Sequence, residues 1–295
     1  MSSPHSTIAK QIPLTQAIAE QVDSNRSAIG HEGSYAEHRA RLTREIIERA
    51  PASGRGRLCL LGAGNANDVD LEALVTHFTE VHLVDIDPDA VIRAIVRVPP
   101  PGCAQLVAQA PLDVSGMFNR LELWSRDPPT PEALEPLIRA AAAHVARSLP
   151  GPFDVVVSCG VLTQLQLVLL QVVGDTNPRF AELREAFNRT HMRTLGALLA
   201  PGGAALLATD LTTNQIYPPL DHMDAGVDLG KLMGDLLAAG HVIHASHPGL
   251  LSAEMRRDPQ LKQQFEVRFP IGPWLWRNGP EQMLLVYALE IKRRG

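Results

Sequence analysis

The chain has 295 residues, 45% hydrophobic and 20% charged, with a formal net charge of −5; that suits one elaborated domain rather than two equal ones. The acidic balance and the 4% aromatic content exclude a phosphate-binding surface or a base-stacking platform, so no nucleic-acid partner is expected. No apolar run reaches the ~20 residues of a membrane span, so no membrane partner is expected either.

In chain order, residues 1–33 are polar and weakly periodic, which predicts a tail plus a short helix. MSSPHSTIAKQIPL has no apolar signal core, so a cytoplasmic location is expected, with Cys59, Cys103 and Cys159 as reduced thiols. Ser34-Tyr35-Ala36-Glu37 reads as a capping box. The helix after it carries Leu42, Ile46 and Ile47 on one stripe, with Glu37/Arg41 and Glu45/Arg49 pairs on the wet side. Pro51 ends it. Residues 1–50 are thus expected as tail and helical cap, and residues 51–295 as the main domain.

An alternation follows. Strands are predicted over 57–61, 81–85, 103–107, 153–158 and 204–209. Helices are predicted over 67–78, from Asp87-Pro88, from Thr130-Pro131, and from Asn177-Pro178 to about 199. This order predicts an α/β fold with a parallel sheet covered on both faces. Its ligand crevice lies beyond the carboxyl ends of the strands. After residue 210 the pattern changes to an amphipathic helix over 228–240, a loop holding Trp274 and Trp276, and a final strand over 282–291. Residues 211–281 are expected to supply acceptor-side segments. The apolar run 165–173 suggests a homodimer face.

The chemistry sits at the strand ends. Gly62-Ala63-Gly64-Asn65 follows the first strand, where glycines let backbone amides approach a ligand. Asp85 ends the second strand and matches the acid that holds ribose hydroxyls in nucleoside-binding sheets. The Asp113-Val114 loop follows the third strand and Ser158-Cys159 the fourth. A dinucleotide fingerprint wants a third Gly or Ala where Asn67 stands, so a nucleoside ligand without phosphate suits the turn better. His241, His244 and His247 lie three apart, but without accompanying carboxylates no metal is expected.

These segments resemble the class I S-adenosylmethionine-dependent methyltransferases. The likeness runs through LCLLGAGNANDVDL, VHLVDIDPDAV, the APLDV loop, FDVVVSCGVLTQL and LLAPGGAALLATDL. It implies a doubly wound, mostly parallel, seven-stranded Rossmann-like sheet with an N-terminal helical cap. It also implies S-adenosylmethionine as cofactor, and methyl transfer to an oxygen, nitrogen or carbon of a small-molecule substrate. By the resemblance, Gly62, Ala63, Gly64 and Asn65 abut the methionine part and ribose, and Asp85 holds the ribose. Ile86 packs on adenine, Asp113 accepts from its amino group with Val114 beside it, and Ser158 and Cys159 line the methionine end. The family's acid two residues before the first glycine is replaced by Leu60, so Asp68 or Arg39 is expected to hold the amino-acid part. Where small-molecule enzymes often carry histidines, this chain reads Leu162-Thr163-Gln164. Tyr35, Arg39, Gln164, Tyr217 and Trp274 are candidate substrate contacts; His222, His38 and Asp210 are candidate bases. The rival readings are a nicotinamide-dependent oxidoreductase and a non-catalytic binding module.

Overall fold

The computed structural model describes residues 11–224 and 226–294. Seven strands form one sheet: β1 (Gly56–Leu61), β2 (Phe78–Val84), β3 (Leu106–Gln109), β4 (Phe153–Cys159), β5 (Leu199–Thr213), β6 (Phe265–Asn278) and β7 (Gln282–Arg293). Their order is β3-β2-β1-β4-β5-β7-β6. The first five run parallel, and β7 lies antiparallel to both β5 and β6. The expected doubly wound, mostly parallel seven-stranded sheet is therefore present.

The helices among the described residues are α1 (Leu14–Ser27), α2 (Ala36–Ile47), α3 (Leu71–Leu74), α4 (Pro88–Val96), α5 (Leu121–Trp124), α6 (Pro131–Ser148), α7 (Val161–Val173), α8 (Phe180–Leu198), α9 (Leu229–Ala239), α10 (Pro248–Arg257) and α11 (Pro259–Gln264). The strand period of two divides the core. Cys59 and Leu61 of β1, Val156 of β4 and Leu207 of β5 face the layer of α6, α7 and α8. Leu58, Leu60, Val155, Val157 and Leu206 face the opposite layer, with Leu42 and Ile46 of α2. Central strands apolar on both faces can lie only inside a sheet covered on both sides.

Several expectations change. The helix predicted over 67–78 shrinks to α3, because Asp70 caps it late by accepting from the Ala73 amide at 3.0 Å, and Phe78 already opens β2. The Trp274–Trp276 loop is strand, part of β6. Pro270 and Pro273 disguise it; both are tolerated because β6 is the sheet edge, where a missing amide breaks no internal ladder. The Ser34/Glu37 box is absent. Ser34 Oγ instead donates to the His31 carbonyl at 2.8 Å and accepts from the Gly279 amide at 3.3 Å. Glu45 is buried rather than wet, between Arg41 at 2.9 Å and Arg49 at 3.1 Å, since the β6–β7 hairpin covers that side of α2. The apolar run 165–173 is no free homodimer face. Leu165, Val168, Leu169, Val172 and Val173 are buried, and α1 is fastened along this helix by Ile12 N–H to the Gln171 carbonyl (2.9 Å) and by Gln171 Nε2 to Glu20 Oε2 (2.6 Å).

His191, although it lies in a charged stretch of α8, is fully buried. The flanking Arg189 and Arg193 pair with Glu135 and Asp258 instead of water. Burial pushes the His191 pKa down to about 4, so the folded ring stays neutral where the unfolded one takes a proton. Stability is lost as pH falls from about 6.5 toward 4, by about 3 kcal/mol over the window. Urea melts of His191→Gln between pH 7 and 4.5 should show that part of the slope removed; an unchanged slope would exclude His191 as its origin.

Candidate functional site

The sheet order reverses between β1 and β4, so the loops after these two strands diverge and leave a crevice. After β1, Gly62 and Gly64 take φ of +69° and +48°, values L side chains resist. A Cβ on Gly62 would meet Val161 Cγ2 at 2.3 Å, so the turn stays open only with glycine. Asp85 crosses beneath it. One carboxylate oxygen accepts from the Gly64 amide at 2.8 Å and the other from the Asp87 amide at 2.9 Å. Burial pushes the Asp85 pKa up, and those two amides pull it back. The acid is thus pre-aimed by backbone at the mouth of the crevice.

Three compartments meet there. The first is a slot of about 70 Å³ with an apolar wall of Ile86, Leu112, Val114, Phe118, Leu165 and Val168, and with Asp85 and Asp113 on its rim. Asp113 also caps its own loop, accepting from the Ser115 amide at 2.8 Å and the Phe118 amide at 2.9 Å. Gln21, Ser24 and Asn25 of α1 roof the slot. Asn25 Nδ2 donates to Asp87 Oδ2 at 3.2 Å, and Asn65 Nδ2 donates to the Asn25 carbonyl at 2.6 Å.

The second compartment, about 360 Å³, runs from Gly62, Ala63, Gly64 and Asn65 to Asp68, Cys159 and Gly160. Leu60, where the family carries its acid, is core. Asp68 stands in the compartment wall instead, and its Oδ1 accepts no hydrogen bond. His38 Nε2 lies 3.5 Å from that oxygen and 3.5 Å from Cys159 Sγ. Trp274 Nε1, a donor only, gives its hydrogen to His38 Nδ1 at 2.9 Å. The ring proton therefore sits on Nε2 and faces Asp68 and Cys159. His38, Asp68 and Cys159 cluster closely enough to invite a cation. A metal on Nε2 would force a proton onto Nδ1, against the indole N–H, so this donor set does not suit one. Burial pushes the Cys159 thiol well up, which makes it a poor nucleophile.

The third and largest compartment, about 820 Å³, adjoins the second at Gly160, Gln164 and Trp276. Asp210 of β5 stands in its wall. Oδ2 lies 3.0 Å from the Thr163 hydroxyl, and Oδ1 has no partner. Burial pushes the Asp210 pKa up to about 6, and nearby Asp68 adds to this; the Thr163 hydroxyl and His38 oppose it.

The structure thus brings Gly62, Ala63, Gly64, Asn65, Asp68, Asp85, Ile86, Asp113, Val114, Cys159, Tyr35, Gln164 and Asp210 to connected cavities. Other candidates lie elsewhere. Ser158 is fully buried and bonds His191 Nε2 at 2.8 Å. Arg39 is spent on the Asn67 and Glu32 carbonyls, at 3.1 Å each. His38 and Trp274 are buried behind the wall, bonded to each other. His222 is exposed on a turn outside the cavities, and Tyr217 packs against His241 with ring centroids 5.9 Å apart. His247 caps α10 by accepting from Gly249 at 3.1 Å rather than converging with its neighbours. Sequence reasoning missed Ser24 and Asn25 of α1 and Asn278 and Gln282 of the β6–β7 hairpin. Only the polar Ser/Asn run of α1 hinted that one of its faces is not simply solvated.

No protein-family model and no curated protein matches the chain. Solved structures do. An S-adenosylmethionine-dependent methyltransferase from Anabaena variabilis matches with a TM-score of 0.50 and 16% identity, over 99% of this chain and all (100%) of the other. The N-methyltransferase NodS from Bradyrhizobium japonicum, solved with S-adenosylhomocysteine, matches with a TM-score of 0.45 and 12% identity, over 96% and 99%.

Proposed function

We propose that this chain, whose fold is the one used by S-adenosylmethionine-dependent methyltransferases, binds that cofactor in the crevice and transfers its methyl group to a small-molecule acceptor. The carrying observation is the Gly62–Gly64 turn joined to the amide-aimed Asp85 beside an apolar slot. The donor set fits a phosphate-free nucleoside: among the described residues no Lys or Arg lines the slot or the compartment next to it. This also weighs against a nicotinamide dinucleotide, whose pyrophosphate wants cationic or free amide donors. When bound, the cofactor supplies an activated methyl group on a sulfonium.

In this reading Asp85 accepts from the ribose hydroxyls, Ile86, Val114 and Leu165 sandwich the adenine, and Asp113 takes its amino group. Asp68, with one unpaired oxygen and no Lys or Arg among the described residues of its compartment, holds the ammonium of the amino-acid part in place of the missing acid at Leu60. Residues 1–50 act as the cap, chiefly through α1, over the catalytic unit of residues 51–295. Residues 211–281 supply Thr213, Ile243, Ala245 and Trp276 to the acceptor side. Catalysis rests mainly on holding the acceptor in line with the methyl group and excluding water; positioning of this kind is worth ~7–11 kcal/mol.

Thermal melts test the reading. S-adenosylhomocysteine at 100 times its Kd should add about 2.7 kcal/mol, roughly 4–5 °C for a chain of this size, and NAD should add nothing. A shift with NAD alone would favour the oxidoreductase.

A further inference from the structure

The wall chemistry of the largest compartment bears on what the acceptor is. Asp210, Glu20 and Asp175 stand in that wall, and Asp68 and Glu281 stand in the compartment it opens into. Among the described residues, Arg184 is the single Lys or Arg lining either compartment. It shares its wall with Glu20 and Asp175. Carboxylates outnumber it, so an anionic acceptor would be opposed and a cation drawn in.

Two further observations point to an occupant. Asp210 Oδ1 is screened from water yet accepts no hydrogen bond, a condition that buried carboxylates do not ordinarily tolerate. Trp276 lines both compartments. One of its ring faces is stacked on His38 at a centroid distance of 4.1 Å, which fixes the indole as a rigid wall. An indole and a carboxylate lining one cavity are a setting that favours organic cations. Farther along the same cavity Leu170, Phe180 and Ile243 are apolar and suit a hydrocarbon body.

We infer that the acceptor is an organic amine taken up as its cation, with its nitrogen at Asp210 beside Trp276 and its apolar body on Leu170, Phe180 and Ile243. This rests on the methyl-transfer reading and goes beyond it by choosing nitrogen over oxygen or carbon. The chemistry balances with groups already present. The ammonium gives one proton to the Asp210 carboxylate, which frees the nitrogen lone pair. That pair forms the new N–CH₃ bond as the C–S bond breaks and its electrons stay on sulfur. The product leaves as a methylated ammonium, and Asp210 returns its proton to water. The Thr163 hydroxyl, 3.0 Å from Asp210 Oδ2, orients the carboxylate.

The test uses the full chain saturated with S-adenosylhomocysteine. 2-Phenylethylamine, 2-phenylethanol and phenylacetate share one frame, and octylamine, octanol and octanoate a second. Calorimetry should find the amine of at least one frame binding tenfold or more tighter than its alcohol and carboxylate. Asp210→Asn should weaken that amine at least tenfold while S-adenosylhomocysteine binds within twofold of wild type, which also certifies the variant's fold. Thr163→Val, which keeps the carboxylate, should lose much less. The inference is overturned if an alcohol or carboxylate binds as well as its amine, if amine binding survives Asp210→Asn, or if neither frame binds. Failure of S-adenosylhomocysteine itself to bind overturns the donor reading, and this one with it.

Discussion

Asp85→Ala should weaken S-adenosylhomocysteine binding by two to four orders of magnitude. In the proposed reading the carboxylate makes two charge-assisted hydrogen bonds to ribose, each worth about 1.5–3 kcal/mol, and each 1.4 kcal/mol is tenfold. A second effect adds to the first. Asp85 also holds the Gly64 and Asp87 amides at 2.8 and 2.9 Å, so removing it leaves two donors without partners and loosens the turn itself. The variant should therefore melt lower even without ligand. Asp85→Asn separates the two roles: its amide oxygen can still accept from one backbone N–H, so it should recover part of the melting temperature but little of the affinity. Calorimetry alongside melts of all three proteins decides the matter. Unchanged affinity in Asp85→Ala would mean that the ribose is gripped elsewhere.

Gly62→Ala should be nearly as damaging, through sterics. The new Cβ would lie 2.3 Å from Val161 Cγ2, and Val161 is a buried, β-branched residue in the first turn of α7. It cannot swing aside by changing rotamer. The left-handed backbone adds ~1–2 kcal/mol and the overpacking ~1–3 kcal/mol, so the melting temperature should fall by roughly 3–8 °C. The start of α7 must move, and with it one wall of the slot, so affinity for S-adenosylhomocysteine should drop more than tenfold. Gly160→Ala is the control. It has the same sign of φ, +66°, but no atom within 4 Å of the new Cβ, so only the backbone cost applies. Equal losses in the two variants would show that crowding at Val161 is not the cause.

The parts of this molecule legible in its sequence are those built from neighbours in the chain. A glycine turn after an apolar strand, an acid at the end of the next one, and Pro88 and Pro131 opening helices are local events, and they stand where the pattern put them. What stayed hidden depends on partners far along the chain. His38 reads as a residue on a surface helix, and nothing nearby announces that Trp274 will bond it and Trp276 cover its ring. Glu45 looked wet because the hairpin that buries it begins more than two hundred residues later. The apolar stretch of α7 resembled an interface because its cover, α1, is too polar to look like a packing helix. Asp210 was visible as the end of a strand, but its unpaired oxygen was not. His222 and Tyr217 lie outside the cavities for the opposite reason: a segment can follow the right strand and still turn away from the crevice.

The pairing of His38 with Trp274 spans 236 residues, and Tyr35 with Asn278 spans 243. During translation at ~5–20 residues per second, roughly 12–50 s separate the appearance of the two members of such a pair. Through that interval the wall that Trp276, Asn278 and Gln282 give to the second and third compartments is missing, so a nascent chain should be unable to enclose an acceptor. A ribosome stalled before the final hairpin would display an incomplete, protease-sensitive amino-terminal segment. The acceptor side can form only after the last two strands have left the exit tunnel.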